Sequence, residues 1–257
     1  MMKIFLINLD KNIDRMELSK KQLDAMGVDY ERVSAVYGKE LSFDERRRAV
    51  NRFRCWCAHT LRMRDGEIGC ALSHYGIYRR MIDENIPYAC ILEDDNFYCK
   101  GFVAILKYIE SKINLDLPEV ILLSNGSAKA PKSKEFVIEE CIYDSGTYAY
   151  VLTNIAARNL LLENYPMHVP CDEWRRWVRR GAIRLYHAFP TVVMQMNYAM
   201  RLKGESNIYY KSDVADDNMI IVVRLPVLKR FFFKAKRAIG LSIDRLIPYK
   251  GARGNIK

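Results

Sequence analysis

The hydrophobic positions of this chain fall in short runs, separated by polar segments with helical spacing. Lys3 to Leu9 is an apolar run too short and too β-rich for a helix, and it predicts a buried strand. Asp10 or Asn12 is placed to cap the helix that follows, with Ile13, Met16, Leu23 and Met26 on one face and Gly27 as its stop. Arg32 to Tyr37 predicts a second, short strand. Glu40 to Arg64 is rich in arginine and lacks a clear period, which suits a loop with short helices. Asp65-Gly66-Glu67 opens a helix carrying Ile68, Leu72, Tyr75 and Ile82 on one face, and Asn85-Ile86-Pro87 ends it before a strand over Tyr88 to Leu92. Phe102, Ile105, Leu106 and Ile109 mark another helix, followed by strands at Val120 to Leu123 and Phe136 to Ile138. Gly146 to Thr153 reads as a strand leading into a helix over Asn154 to Tyr165. Beyond Pro166 and Pro170, Asp172-Glu173-Trp174 opens a short arginine-rich helix, and Ala182 to Phe189 is a late strand. The alternation predicts an α/β fold, a central mostly parallel sheet with helices on both faces.

Length and composition narrow this further. The 257 residues suit one large α/β domain with a small appendage, expected at 1–223 and 224–257. No apolar stretch approaches the ~20 residues that span a bilayer. The opening Met1-Met2-Lys3 run is too short for a signal peptide and turns polar at once. Seven scattered cysteines suit reduced thiols in a cytoplasmic protein, and Cys55-Trp56-Cys57 lacks the second half of a zinc site.

The formal charge of +10 is concentrated at one end. From Arg224 to Lys257 there are ten Lys or Arg and one acid, Asp244, so +9 of the +10 sits there. A nucleic-acid protein would carry its charge on the folded body beside reading motifs, so no nucleic-acid partner is expected. In the tail, Leu228, Phe231, Phe232, Ala235 and Ile239 recur at helical spacing among Lys229, Arg230, Lys234, Lys236 and Arg237. That pattern fits a basic amphipathic helix on an anionic membrane surface, or a terminal helix docked on the protein's own core; Phe231-Phe232-Phe233 is too broad for one narrow buried stripe and favours the membrane.

The candidate chemistry begins where Ala89-Cys90-Ile91-Leu92 ends in Glu93-Asp94-Asp95. Three acids closing a strand put dense negative charge at a sheet's carboxyl edge, where open α/β sheets bind ligands. A hard divalent cation bridging to phosphate oxygens relieves their repulsion. A solvated strand end before a turn at Asp95-Asn96 gives the same letters, so the triplet alone does not decide.

Four blocks together do. They are Ile7-Asn8-Leu9-Asp10 with Arg15, Gly66-Glu67-Ile68-Gly69-Cys70-Ala71-Leu72-Ser73-His74, Ile91 to Asp95, and Gly146 to Leu152 with Ala156-Ala157 and Leu160-Leu161. In this order they resemble glycosyltransferase family 25, the bacterial lipooligosaccharide galactosyltransferases and their relatives, over about residues 3–208, where Ser206-Asn207-Ile208 is similar to that family's closing block. The Glu-x-Gly-Cys-x-x-Ser-His block carries the most specificity.

The resemblance implies a GT-A-like nucleotide-sugar-binding fold with a divalent metal on the acidic motif, and an inverting transfer from a UDP-sugar to a lipooligosaccharide acceptor. Galactose is the expected hexose and glucose the next. By its place in the motif Asp95 is the expected metal ligand, with Glu93 or Asp94 on the ribose or a metal-bound water. Mn²⁺ is expected by analogy, although Mg²⁺ meets the same oxygen chemistry. Asn8, Asp10 and Arg15 follow the first strand, where uracil and ribose would sit; an N-cap carboxylate with a surface arginine accounts for Asp10 and Arg15 equally well. Arg15 is placed to pair with a phosphate or with Asp10. Glu67, Ser73 and His74 read as donor contacts; adjacent helix residues do not face one another, which argues against a Ser73–His74 nucleophile. Asp172 matches an aspartate in the family's Pro-x-Asp segment and is the candidate base, with Glu173 as fallback, though an ordinary helix cap explains it as well locally. His187 is left outside the metal set, and His168 and His59 have less support still. A binding protein without turnover and a nucleotide-sugar hydrolase stand as alternatives. The expected location is the cytoplasmic side of the inner membrane, held peripherally by the tail.

Overall fold

The computed structural model describes residues 2–58, 63–124 and 135–196. The basic tail, the Ser206-Asn207-Ile208 block and His59 lie outside them. Nine strands and seven α-helices follow among the described residues, in the order β1 (Lys3–Asn8), α1 (Ile13–Ala25), β2 (Glu31–Ser34), α2 (Phe43–Ala49), α3 (Arg52–Cys57), α4 (Asp65–Asp83), β3 (Tyr88–Glu93), β4 (Asn96–Tyr98), α5 (Phe102–Lys112), β5 (Glu119–Leu122), β6 (Val137–Cys141), β7 (Ala149–Thr153), α6 (Asn154–Asn164), α7 (Trp174–Arg179), β8 (Arg184–Phe189) and β9 (Val193–Gln195). None of these helices is long and apolar enough to cross a membrane.

Seven strands form one sheet in the order β2-β1-β3-β7-β5-β8-β6, and β4 pairs with β9 beside it. Five of the seven point the same way; β7 and β6 run against them. The chain steps from β1 outward to β2, then returns across β1 to β3. This reversal opens a crevice between the carboxyl ends of β1 and β3, the kind of switch point at which α/β sheets take ligands. Because β7 is antiparallel, its amino end meets that same edge and delivers residues 146–148 to it.

Both sheet faces are covered. Phe5, Ile91, Tyr150 and Val120 point to one core with α4, α6 and α7, including Trp174 and Trp177. Leu6, Leu92, Val151 and Ile121 point to the other, packed on Leu23 of α1 and on Phe102, Ile105 and Ile109 of α5. The strict alternation of neighbours between two cores is why the strands read as continuous apolar runs.

Several details depart from the sequence reading. Ile13 is 63% exposed rather than on the buried stripe of α1, because it occupies the helix's first position. Neither expected cap bonds α1: Asn12 holds the cap position without a side-chain capping bond, and Asp10 turns to Arg32 and Ser34. The strand expected from Gly146 starts only at Ala149, since Gly146 has a left-handed φ of 87°. The turn after β3 falls on Asp94-Asp95, and Asn96 already belongs to β4.

Candidate functional site

The three adjacent carboxylates leave β3 in three directions, and each meets a different element. Glu93 points to α4, where its Oε1 lies 3.2 Å from His74 Nε2 and accepts a 2.5 Å bond from Thr147 Oγ1. Asp94 points to β1 and α1: its Oδ2 accepts from Asn8 Nδ2 at 2.7 Å, its Oδ1 from Arg15 Nη1 at 3.4 Å, and its carbonyl from Ser19 Oγ at 3.0 Å. Asp95 points to the small sheet, where Gln195 Nε2 donates to Oδ2 at 3.3 Å. Its Oδ1 is buried with no hydrogen-bond partner.

This distribution decides where the charge strain settles. Burial works against the Glu93 carboxylate, but its bonds to His74 hold it below the usual range. Burial raises Asp94, with Asn8 and Arg15 offsetting part of the effect. Asp95 is pushed up to about 7, first by burial and then by the charges of Glu93 and Asp94. An acid in that state takes up a proton or a cation. The unpartnered oxygen and the hard carboxylate donors fit the oxygen chemistry of a hard divalent ion.

The Gly-Cys-x-x-Ser-His block performs separate tasks along α4. Glu67 accepts from the Arg64 N–H at 2.7 Å and so closes the helix start. Gly69 permits close approach of the segment after β2: a Cβ there would stand 2.5 Å from the Val36 carbonyl oxygen and 2.7 Å from Gly38 N. Ser73 Oγ accepts from Val36 N at 2.9 Å and donates to the Gly69 carbonyl at 2.8 Å, fixing the same segment. His74, buried, bridges Glu93 and the Tyr150 hydroxyl, the latter at 2.7 Å from Nδ1. Burial opposes charge on this imidazole, yet its bonds to Cys70 and Glu93 raise it to about 9.

Between these parts lies a cleft that opens to solvent. Its walls come from Ile7 to Leu9 and Asn12 and Arg15 on one side, residues 35–39 on another, and Gly66, Cys70, Ser73 and His74 of α4, with Glu93, Asp94 and Asp95 at the strand end. Of the residues singled out from sequence, Asn8, Arg15, Ser73, His74 and the acidic triplet therefore converge. Asp10 and Glu67 stand outside the cleft lining, held respectively by Arg32 with Ser34 and by the start of α4. Arg15 pairs with Asp94, while Asp10 takes Arg32 at 2.5 Å.

Asp172 is half-buried and does not cap α7: its Oδ2 accepts from the Gly146 N–H at 3.0 Å, and Glu173 occupies the cap position. Gly146 also accepts from Trp174 Nε1 at 2.9 Å, Thr147 bonds Glu93, and the Tyr148 carbonyl takes bonds from Glu93 N and Asn96 Nδ2. Three consecutive residues thus tie Asp172 to the acidic motif. His187 lies apart, 3.2 Å from the buried Asp144. His168 stands near Arg54 and Trp177.

Sequence reasoning missed Arg32, which donates to Asn8 Oδ1 from Nε at 3.0 Å and from Nη2 at 2.8 Å, and it missed Gln195 and Thr147. Thr147 lies inside the Gly146 to Leu152 block. Arg32 and Gln195 carried no signal beyond their strand positions.

An α/β sheet that gathers carboxylates, an imidazole and an arginine around one cleft at its switch point belongs to the class of open α/β folds that take ligands at the strand ends. The chain belongs to glycosyltransferase family 25: the family profile, described as "Glycosyltransferase family 25 (LPS biosynthesis protein)", matches residues 1–174. It is similar to a "Glycosyltransferase 25 family member" of Anopheles gambiae, 40% identical over 182 residues, covering 66% of this chain and 30% of the relative. It is also similar to "Procollagen galactosyltransferase 1-B" of Xenopus laevis, 28% identical over 184 residues with the same two coverages, 66% and 30%. A third relative, from Bos taurus, is named "Probable inactive glycosyltransferase 25 family member 3" and is 27% identical over 184 residues, again 66% of this chain and 30% of the relative. The chain therefore spans about 30% of the length of these curated relatives.

Proposed function

We propose that this chain is an inverting, metal-assisted glycosyltransferase that moves a hexose from a UDP-sugar to a lipooligosaccharide or lipopolysaccharide core acceptor, using a GT-A-type fold. The single observation that carries the reading is Asp95, whose buried, unpartnered oxygen stands at the edge of a cleft built from the family's own motifs. Galactose is the first-choice hexose, supported by the names of the procollagen galactosyltransferases among the relatives. The lipopolysaccharide acceptor is supported by the family's description.

In this reading Asn8, Arg15 and the 35–39 wall receive the nucleoside, and Arg15, which lines the cleft beside Asp94, pairs with a phosphate. Asp95 would hold a divalent ion, Mn²⁺ first and Mg²⁺ next, which would supply positive charge against the departing diphosphate. The acceptor hydroxyl attacks the anomeric carbon as the bond to the β-phosphate oxygen breaks. Asp172 takes the hydroxyl proton, and the Gly146-Thr147 link to Glu93 keeps that carboxylate in register with the donor. The tail, residues 224–257, holds the protein to the anionic cytoplasmic face of the inner membrane through its basic and aromatic residues. Truncation after Val223 then releases the protein from anionic vesicles while donor binding persists; full retention on vesicles refutes this part.

The test of the main reading is UDP release from a panel of UDP-hexoses, with and without truncated lipooligosaccharide, in Mn²⁺ and in EDTA. Release from one donor that requires both acceptor and metal is the expected result. Release indifferent to acceptor marks a nucleotide-sugar hydrolase instead. A second reading, a nucleotide-sugar-binding protein without turnover, is favoured by the name of the Bos taurus relative. It predicts UDP-sugar binding and no release with any acceptor.

A further inference from the structure

Beside the acidic triplet, the cleft wall brings together donors of a different chemical character. Cys70 and His74 lie one turn apart on α4 and face the end of β3, where Glu93 emerges. The Cys70 sulfur, one His74 ring nitrogen and one Glu93 carboxylate oxygen all lie within 4.8 Å of one another. A tetrahedral zinc ion has ligand bonds of about 2.3 Å to sulfur and about 2.0 Å to nitrogen or oxygen, which sets its nitrogen and oxygen ligands about 3.3 Å apart. His74 Nε2 and Glu93 Oε1 are 3.2 Å apart.

The surroundings match what a metal-bound imidazole and carboxylate need. The other nitrogen of His74, Nδ1, is 2.7 Å from the Tyr150 hydroxyl, which is itself 2.6 Å from the Tyr78 hydroxyl. This fixes the ring with Nε2 toward Glu93. The Thr147 hydroxyl donates to the same oxygen, Glu93 Oε1, at 2.5 Å and fixes the carboxylate's position. Outer bonds of this kind orient ligands in protein metal sites. Cys70, His74 and Glu93 all border the cleft, so an ion has a path in and a water can take the fourth position.

We propose that Cys70, His74 and Glu93 form a second cation site, selective for borderline-soft ions of the Zn²⁺ class and distinct from the oxygen site at Asp95. A thiolate and an imidazole favour Zn²⁺ or Co²⁺ over Mg²⁺ or Mn²⁺, whereas Asp95 offers hard oxygen only. Binding displaces the thiol and imidazole protons and replaces the His74–Glu93 ion pair with a bridge between α4 and β3. The inference does not depend on the transferase reading, and its test uses no turnover.

The test is titration of the full-length, metal-free protein with Co²⁺ under a phosphine reductant. The reductant is required because the Cys171 sulfur lies 3.7 Å from that of Cys70, and a disulfide between them would remove the ligand. The expected result is one equivalent of Co²⁺ with a thiolate-to-cobalt charge-transfer band, displaced by Zn²⁺ and not by Mg²⁺. The band persists in Asp95→Asn and is lost in Cys70→Ser. As a second readout, Zn²⁺ at about 100 times its Kd raises the wild-type melting temperature by roughly 5–10 °C. Cys70→Ser, melting like the metal-free wild type, does not respond. Absence of the band, or a band of equal strength in Cys70→Ser, overturns the proposal.

Discussion

Asn8 and Asp94, 86 positions apart, share a buried 2.7 Å hydrogen bond that joins the ends of β1 and β3 across the crevice. Asn8 uses its whole amide: the carbonyl oxygen accepts twice from Arg32, and the nitrogen also donates to the Asn12 carbonyl at 3.1 Å. Replacement by Ala leaves the Arg32 guanidinium and the Asp94 carboxylate each short of a partner. The expected cost is about 2–3 kcal/mol in chemical denaturation, with UDP affinity reduced in parallel. Loss of stability without any change in UDP affinity would detach Asn8 from the cleft's function.

At Asp95 the same physics sets stability against binding. Its folded pKa, about 7, lies above the usual 3.8. Ionisation therefore destabilises the fold, a penalty absent below pH 3.8 and fully present above pH 7. Asp95→Asn removes it. Without metal at pH 8 the variant is expected to be more stable than wild type, by an amount on the order of 4 kcal/mol, while metal-dependent UDP affinity disappears. Unchanged Mn²⁺-dependent affinity in this variant would exclude Asp95 from the ligand set.

His74 gives the opposite sign. Its folded pKa is raised from 6.5 to about 9, so its bonds to Cys70 and Glu93 stabilise most below pH 6.5 and fade as pH rises through 9. The contribution is on the order of 3 kcal/mol. In metal-free protein, denaturation midpoints for wild type and His74→Gln should converge between pH 6.5 and 9.5. A constant gap would show that His74 is neutral throughout.

Gly69→Ala tests the close contact between α4 and the segment after β2. The added methyl meets backbone atoms of Val36 and Gly38, which cannot swing away as a side chain could. A loss of about 1–3 kcal/mol is expected, together with weaker UDP binding, because the displaced 36–38 segment is a wall of the cleft. Melting data and UDP titration on the same sample check both. A wild-type melting temperature would mean that the contact relaxes without strain.

The sequence reveals those features whose cause is local. Strands buried on both faces announce themselves as apolar runs, which is why β1, β3 and β5 could be read directly. β4 and β9 are three residues each, too short for a period, and exist because they pair with one another across the chain. In the site, the acidic triplet and the Gly-Cys-x-x-Ser-His block are visible as letters. What each acid does is not visible: Glu93, Asp94 and Asp95 differ only in which element stands opposite, and α4, α1 and β9 reach them from distant parts of the chain. Asp172 shows the same limit, since its partner Gly146 is 26 positions away and a local reading suggested a helix cap.

The bonds that aim the three carboxylates connect positions 86, 54 and 100 apart. Each closes a long loop, whereas the helices form from contacts within a few residues, and closures of that kind come late and slowly when a chain folds. The cleft is therefore among the last structures to consolidate. On dilution from denaturant, helical signal should return first and the formed cleft afterwards, so a compact, helix-containing species whose cleft is still open is the natural precursor of the finished protein.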